Sequence, residues 1–147
     1  MSNLSKKFNI AVESLILISL NSSVGPLSSK DICSELNIKL RYTEQIMQAM
    51  VKANILKGIR GANGGYILAK ERRKIFLNEV YQIIEGLVSS TEDEFNSNLS
   101  FITTDLSKGI NNKVLSYLSG VNLEELHNKS KEIDIELIRK KKNDFVI

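Results

Sequence analysis

Three side chains between residues 41 and 45 carry chemistry that can read nucleic-acid bases. Arg41 and Gln45 are four residues apart, so a helix would place them on one face, one turn from each other. In a DNA major groove an arginine can grip a guanine edge and a glutamine an adenine edge, while the carboxylate of Glu44 could accept from cytosine. An ordinary solvent-exposed helix face has the same composition. Whether these three side chains can contact DNA therefore depends on the helices and strands around them.

The elements around these residues have the order of a helix-turn-helix. The sequence predicts a short supporting helix from Lys30 to Leu36, with Ser28 or Ser29 as its N-cap. Asn37 ends it, and after a break of about three residues helical periodicity resumes from Lys39 to Ala53. In such a unit the second helix is the one that enters the DNA groove, and here it is the helix that carries Arg41.

A β-hairpin is predicted directly after the second helix. Residues 55–60 and 66–69 read as strands, and the turn between them, Gly61–Gly65, is rich in residues that tolerate positive φ. A hairpin at this place is a wing, and its tip is nearly bare backbone flanked by Arg60. The fold class expected is therefore mainly α with a small β-hairpin wing: a winged helix-turn-helix followed by a long dimerisation helix.

The remaining helices divide the chain into a DNA-binding part and a dimerisation part. Apolar stripes predict helices over 4–20 and 77–85, and Asn122 with Glu125 resembles a capping box that opens a short last helix. Residues 129–147 read as a frayed helix or a tail. The predicted organisation is a DNA-binding domain over 1–85, a polar loop over 86–98, and a dimerisation helix with a C-terminal tail over 99–147.

The long helix from Leu99 to Leu118 has one apolar seam at a spacing typical of helix pairing. On a chain this small, the expected partner is the same helix of a second copy. Two copies would present two DNA half-sites, so the expected operator is an imperfect palindrome. The seam consists of Leu99, Ile102, Leu106, Ile110, Val114 and Leu118.

Composition and charge are compatible with this interpretation. Residues 1–85 hold twelve Lys and Arg against seven Asp and Glu, so this part of the chain is basic, as expected of a domain that meets a polyanion. The apolar stretch over 10–20 is too short to span a membrane. One cysteine in 147 residues forms no internal disulfide and favours a cytoplasmic protein. The sequence contains no catalytic triad, phosphate loop or spacing of metal ligands, which argues against an enzyme.

The two motifs of the DNA-binding part resemble those of the Rrf2 family of bacterial transcription regulators. They are the segments 38–46, with Tyr42-Thr43-Glu44-Gln45 inside it, and 60–66, Arg-Gly-Ala-Asn-Gly-Gly-Tyr. The resemblance implies a homodimeric regulator, usually a repressor, with the second helix in a major groove and the wing near a minor groove. Lys39 and Lys57 would serve phosphates. The complete set of candidate DNA contacts is Ser28, Lys39, Arg41, Tyr42, Glu44, Gln45, Lys57, Arg60, Asn63, Gly64 and Gly65.

Many relatives hold an iron–sulfur cluster with three cysteines, yet residues 86–105 contain neither Cys nor His. The sequence therefore predicts no cluster, no metal site and no other cofactor. The single histidine, His127, is interpreted as a surface residue. Cys33 is either a thiol redox sensor, as in some cluster-free relatives, or a small apolar residue of the core. Control by a partner protein or a small ligand stays open, as does a winged helix used as a protein-interaction module.

Overall fold

The computed structural model describes residues 4–88 and 97–133. Helices form most of this part of the chain, and one antiparallel hairpin interrupts them. In chain order the elements are α1 (Lys6–Leu20), α2 (Ser29–Leu36), α3 (Leu40–Lys52), β1 (Leu56–Ile59), β2 (Gly65–Leu68), a short 3₁₀ helix (Arg72–Lys74), α4 (Leu77–Val88), α5 (Ser100–Leu118) and α6, which is helical over 123–133. This is the mainly α fold with a hairpin wing that the sequence predicts.

Helix α1 forms the centre of the core because its apolar residues recur at helical spacing. Ser5 caps its start by accepting a hydrogen bond from the Phe8 amide at 3.1 Å. The Phe8 ring then meets Tyr81 of α4 edge-on, with 5.4 Å between ring centroids. Burying this stripe against the other helices supplies most of the drive to fold. Its fully buried partners come from each neighbouring element and include Ile32, Ile46, Met47, Met50, Val80 and Ile84.

The turn between α2 and α3 closes through one residue in the left-handed conformation. Asn37 has φ 53° and ψ 51°, a conformation that asparagine tolerates better than most residues. Its amide and that of Ile38 both point back to the Cys33 carbonyl. The carbonyl end of α2 is thus satisfied within a turn of three residues, and α3 leaves at a fixed angle.

The hairpin pairs β1 with β2 in the register Leu56 with Leu68 and Ile59 with Gly65. Its inner end is fixed by the burial of Leu56, and its outer end projects from the domain. A further bridge joins Leu27 to Tyr66, with two backbone hydrogen bonds of 2.9 and 3.1 Å. Leu27, which precedes α2, therefore pairs with β2 as an additional short strand of the wing. This contact was not predicted from the sequence.

The predicted loop over 86–98 is wrong at its start. Helix α4 continues through Val88, because Gly86 keeps an ordinary helical backbone and Leu87 packs against the core. Residues 97–99 form a turn before α5, and the rest of the predicted loop lies outside the described residues.

The start of α6 is joined to the rest of the fold by backbone hydrogen bonds. The Leu77 amide donates to the Val121 carbonyl and the Leu123 amide to the Ile75 carbonyl, each at 2.9 Å. Asn122 accepts from the Glu125 amide at 3.1 Å, as the predicted cap requires. Leu123 is fully buried, so α6 is part of the domain core over its first turns.

Candidate nucleic-acid interface

Helix α3 has one buried face and one solvent face, and the predicted base-reading residues lie on the solvent face. Thr43, Ile46 and Met47 are completely buried, which fixes the rotation of the helix about its axis. The side chains left outside are Arg41, Tyr42, Glu44 and Gln45. The structure thus places these four predicted DNA contacts on one exposed helix surface.

The start of α2 lies beside the wing and presents backbone donors. Ser28 caps the helix: its hydroxyl accepts from the Asp31 amide at 3.2 Å and donates to the Asp31 carboxylate at 2.8 Å. The hydroxyl is therefore already engaged, and the predicted contact of Ser28 with DNA would have to come from its backbone. Lys39 precedes α3 without a side-chain capping bond and is exposed.

The wing tip exposes the side chains of Arg60 and Asn63, and Lys57 is exposed on β1. Ser28, Ser29, Gly58, Arg60 and Tyr66 line a hollow between this tip and the start of α2. A duplex against α3 would therefore meet cationic side chains from the wing as well as amide groups from α2.

Gly64 and Gly65, both predicted to contact DNA, have structural reasons to be glycine. A Cβ at Gly64 would lie 2.3 Å from the Ile59 carbonyl oxygen. Gly65 has φ +155°, and a Cβ there would lie 2.5 Å from the Leu27 carbonyl group. Gly64 therefore allows the turn to close, and Gly65 allows β2 to pack closely against the backbone at Leu27.

We expect Gly65→Ala to lower the free energy of unfolding by about 1–3 kcal/mol, because both the backbone angle and the contact with Leu27 become unfavourable. Gly58→Ala is the matched control, since nothing lies within 4 Å of a Cβ at that position. Denaturant unfolding of both variants measures the difference. Equal stabilities of the two variants would contradict the role given to the Leu27 contact.

Cys33 lies between the two helices of the helix-turn-helix. It is half-buried, and its thiol donates to the Thr43 hydroxyl at 3.2 Å, which in turn donates to the Lys39 carbonyl at 3.3 Å. The thiol is therefore neither freely exposed nor sealed in the core. Oxidation of this sulfur would remove the S–H that donates to Thr43 and so change a contact that joins α2 to α3.

His127 was predicted to be a surface residue, and this is wrong. It is 2% exposed, and its Nδ1 lies 2.8 Å from the hydroxyl of Ser19, a residue 108 positions earlier in the chain. Its Nε2 accepts from the guanidinium of Arg72. Local sequence could not reveal this, because the imidazole is buried by elements distant in sequence.

The donor set does not fit an iron–sulfur cluster held by thiolates. The whole chain has one cysteine, which is hydrogen-bonded inside the helix-turn-helix, and one histidine, whose two nitrogens are both engaged. Within residues 4–88 and 97–133, no three Cys, His, Asp or Glu side chains come together as metal ligands.

The predicted seam of α5 divides into an exposed part and a buried part. Leu99, Ile102, Leu106 and Ile110 are 54–65% exposed, whereas Val114 is half-buried and Leu118 is 7% exposed. Leu118, which the sequence assigned to the dimer interface, packs on its own core and is not part of the exposed stripe. The exposed stripe continues instead through Tyr117, which is 74% exposed and lies seven residues, about two turns, beyond Ile110. The spacing of Tyr117 from Leu106 and Ile110 in the sequence could have identified Tyr117 as part of this stripe.

Comparison with protein families gives a match over residues 4–129 to the model of Rrf2, described as an iron-dependent transcriptional regulator. Among curated proteins, the HTH-type transcriptional regulator IscR of Photorhabdus laumondii is 28% identical over 136 residues, which cover 90% of this chain and 83% of that protein. The relatives are named as transcription regulators and not as enzymes.

Solved structures of regulators have the same fold. IscR of T. potens matches with a TM-score of 0.70 and 26% identity, covering 90% of both chains. CymR, the global cysteine regulator of B. subtilis, matches with a TM-score of 0.66 and 28% identity over 88% of this chain and 98% of its own. No helix in the described ranges is long and apolar enough to cross a membrane.

Proposed function

The chain belongs to the Rrf2 family of transcription regulators, and from this premise we propose that it is a homodimeric repressor that reads an imperfect palindrome. Helix α3 would enter the major groove of each half-site, and the wing would lie along the neighbouring backbone. Arg41 and Gln45 would select bases, whereas Lys39, Lys57 and Arg60 would fix the register through phosphates.

One observation carries the proposal: the polar face of α3 is exposed, while Thr43, Ile46, Met47 and Met50 on its opposite face are fully buried. A helix held this firmly by Ile46, Met47 and Met50 offers its outer side chains in a fixed array, which direct readout of bases requires. The basic excess of residues 1–85 agrees with a polyanionic partner.

The exposed part of α5 supports dimerisation. Every residue from 101 to 113 is exposed, and the apolar side chains along one face of this helix are left uncovered by residues 4–88 and 97–133. Large apolar surfaces of this kind mark interaction sites. We assign the occupant as α5 of a second copy, because a seam that repeats along one helix is self-complementary across a two-fold axis.

The regulator we propose works without an iron–sulfur cluster or another metal cofactor. The support is the donor set described above, which lacks the thiolates of such a cluster. A cytoplasmic location is part of the same proposal, since the template is DNA and the free Cys33 suits a reducing compartment.

Quantitative binding of the purified protein to the DNA upstream of its own gene tests the proposal. We expect sequence-dependent binding that weakens steeply as salt is raised, because phosphate contacts release counterions. A scrambled duplex of equal length is the control. Equal affinity for both duplexes would contradict a sequence-reading function, and absence of binding to either would favour a protein-interaction module.

We further propose that oxidation of Cys33 weakens operator binding, because it would remove the thiol hydrogen bond to Thr43 that joins α2 to the first turn of α3. The titration is repeated with peroxide-treated protein and with Cys33→Ser, which keeps a hydroxyl donor for Thr43. We expect peroxide to reduce the affinity of the native protein about tenfold or more and to leave the variant unchanged. An equal response of both proteins would remove Cys33 as the sensor.

A further inference from the structure

His127 is buried among residues from three separate elements. Ser19 comes from the end of α1, Arg72 from the 3₁₀ helix, and His127 itself from the second turn of α6. A buried imidazole needs partners for both ring nitrogens, and here both have them. None of these groups belongs to the proposed DNA interface, so the DNA-binding role does not explain them.

The directions of these hydrogen bonds are fixed by the chemistry of the partners. A guanidinium can only donate, so Nε2 of His127 accepts from Arg72 and carries no proton. The ring proton is therefore on Nδ1, which donates to the Ser19 hydroxyl at 2.8 Å. The hydroxyl in turn donates to the Ile16 carbonyl at 2.7 Å. In this series of hydrogen bonds, each donor has an acceptor only while the imidazole is neutral.

Charges around the ring oppose its protonation. Burial lowers the pKa of His127 below its ordinary value of 6.5, and the cations Arg72 and Lys131 lower it further. Glu124 acts in the opposite direction, but its carboxylate is engaged 2.8 Å from Nε of Arg72. The partners from α1, Ser19 and the Ile16 carbonyl, are uncharged. A proton on Nε2 would face a cation and would remove the acceptor that Arg72 uses.

We propose that Ser19, His127 and Arg72 form a proton-sensitive latch, which holds α6 against α1 and the 3₁₀ helix and opens when the imidazole is protonated. The backbone bonds of Leu77 and Leu123 hold the start of α6 independently of the latch. Opening therefore frees the part of α6 beyond its first turn. Because α6 follows α5 directly, the latch also stiffens the connection between α5 and the domain core.

The sign of the pH effect follows from the lowered pKa. Well above pH 6.5 the ring is neutral in the closed and the open state, and stability does not change with pH. As pH falls below 6.5, the open state binds a proton first, and the closed state loses stability until the pH reaches the lower pKa of the closed ring. Each unit between the two pKa values raises the open population about tenfold.

Two measurements on the full-length protein test the latch. Because His127 is the only histidine in the chain, its Cε1–H resonance gives its pKa directly in a titration from about pH 5 to pH 8. Hydrogen exchange, corrected for intrinsic rates, then compares protection of residues 123–133 with that of α3 across the same range. We expect a pKa below 6.5 and a loss of protection at acid pH in 123–133 that exceeds any loss in α3.

Two variants separate the latch from a merely structural histidine. His127→Asn keeps an N–H for Ser19 but cannot titrate, so the extra loss of protection at acid pH should disappear. Arg72→Gln keeps a neutral donor for Nε2, so the pKa of His127 should rise and the pH dependence should become shallower. A pKa at or above 6.5 in the native protein would overturn the proposal. An unchanged pH dependence in either variant would also overturn it.

Discussion

We expect Leu106→Glu to convert the proposed dimer to a monomer and to lower its operator affinity about 100-fold to 10,000-fold. Leu106 lies in the middle of the exposed α5 stripe and is 65% exposed in the single chain. Across a two-fold axis the substitution would place two like charges in one apolar contact. Once the two DNA-binding domains are no longer linked, each must bind its half-site separately. The affinity gained from effective concentration, about 100-fold to 10,000-fold, is then lost.

Light scattering gives the mass, and fluorescence anisotropy with a labelled operator gives the affinity. Asn112→Glu is the matched control, because it adds the same charge at an exposed position of α5 that points away from the Leu106 stripe. The Leu106→Glu monomer should remain folded, since this side chain lies outside the core, and its unfolding should no longer depend on protein concentration. A variant that remained dimeric would show that the copies associate through another surface.

Arg41→Ala lowers the affinity for the operator by about 1–3 kcal/mol at each half-site, or roughly 5-fold to 150-fold. The reason is that Arg41 lies on the exposed face of α3 and, in the proposed complex, would make a bidentate contact with a base edge. The loss should be largest on the native operator and small on a duplex whose contacted base pair has been changed. Competition titrations with a panel of single-base operator variants measure this dependence.

Two other cation-to-alanine variants complete that experiment. Lys57→Ala should weaken binding to all duplexes by a similar factor, because a phosphate contact carries no sequence information. Arg73 is exposed on the 3₁₀ helix, which follows the end of β2 farthest from the wing tip. Because it lies away from the proposed interface, Arg73→Ala should change DNA affinity little. If Arg41→Ala and Lys57→Ala gave the same pattern across the panel, α3 would not be the reading helix.

Local pattern was sufficient to predict the elements of the DNA-binding part. The helix period around Ile46 and Met50, the break at Asn37 and the glycine-rich turn after Ile59 each act within a few residues. The structure has α2, α3 and the hairpin within one residue of the predicted bounds. The same period assigned Arg41 and Gln45 to the solvent side of α3, because Ile46 and Met47 had to face the core.

Contacts between distant segments were not predictable in this way. The bridge from Leu27 to Tyr66 explains why residue 65 is a glycine, but its two partners lie 39 residues apart. The end of α4 was placed too early because residues 86–98 were interpreted as a polar loop, whereas Leu87 still packs against the core. The seam residue Leu118 looked equivalent to Leu106 until the core showed which of the two was already covered.

The sequence by itself determined the order of helices and strands and the exposed face of α3, because both depend on periodicity within single elements. The tertiary structure alone decided the environment of His127, the structural role of Gly65 and the replacement of Leu118 by Tyr117 on the exposed stripe. Burial depends on how the elements pack together, and the local sequence around a side chain does not indicate which distant segment will cover it.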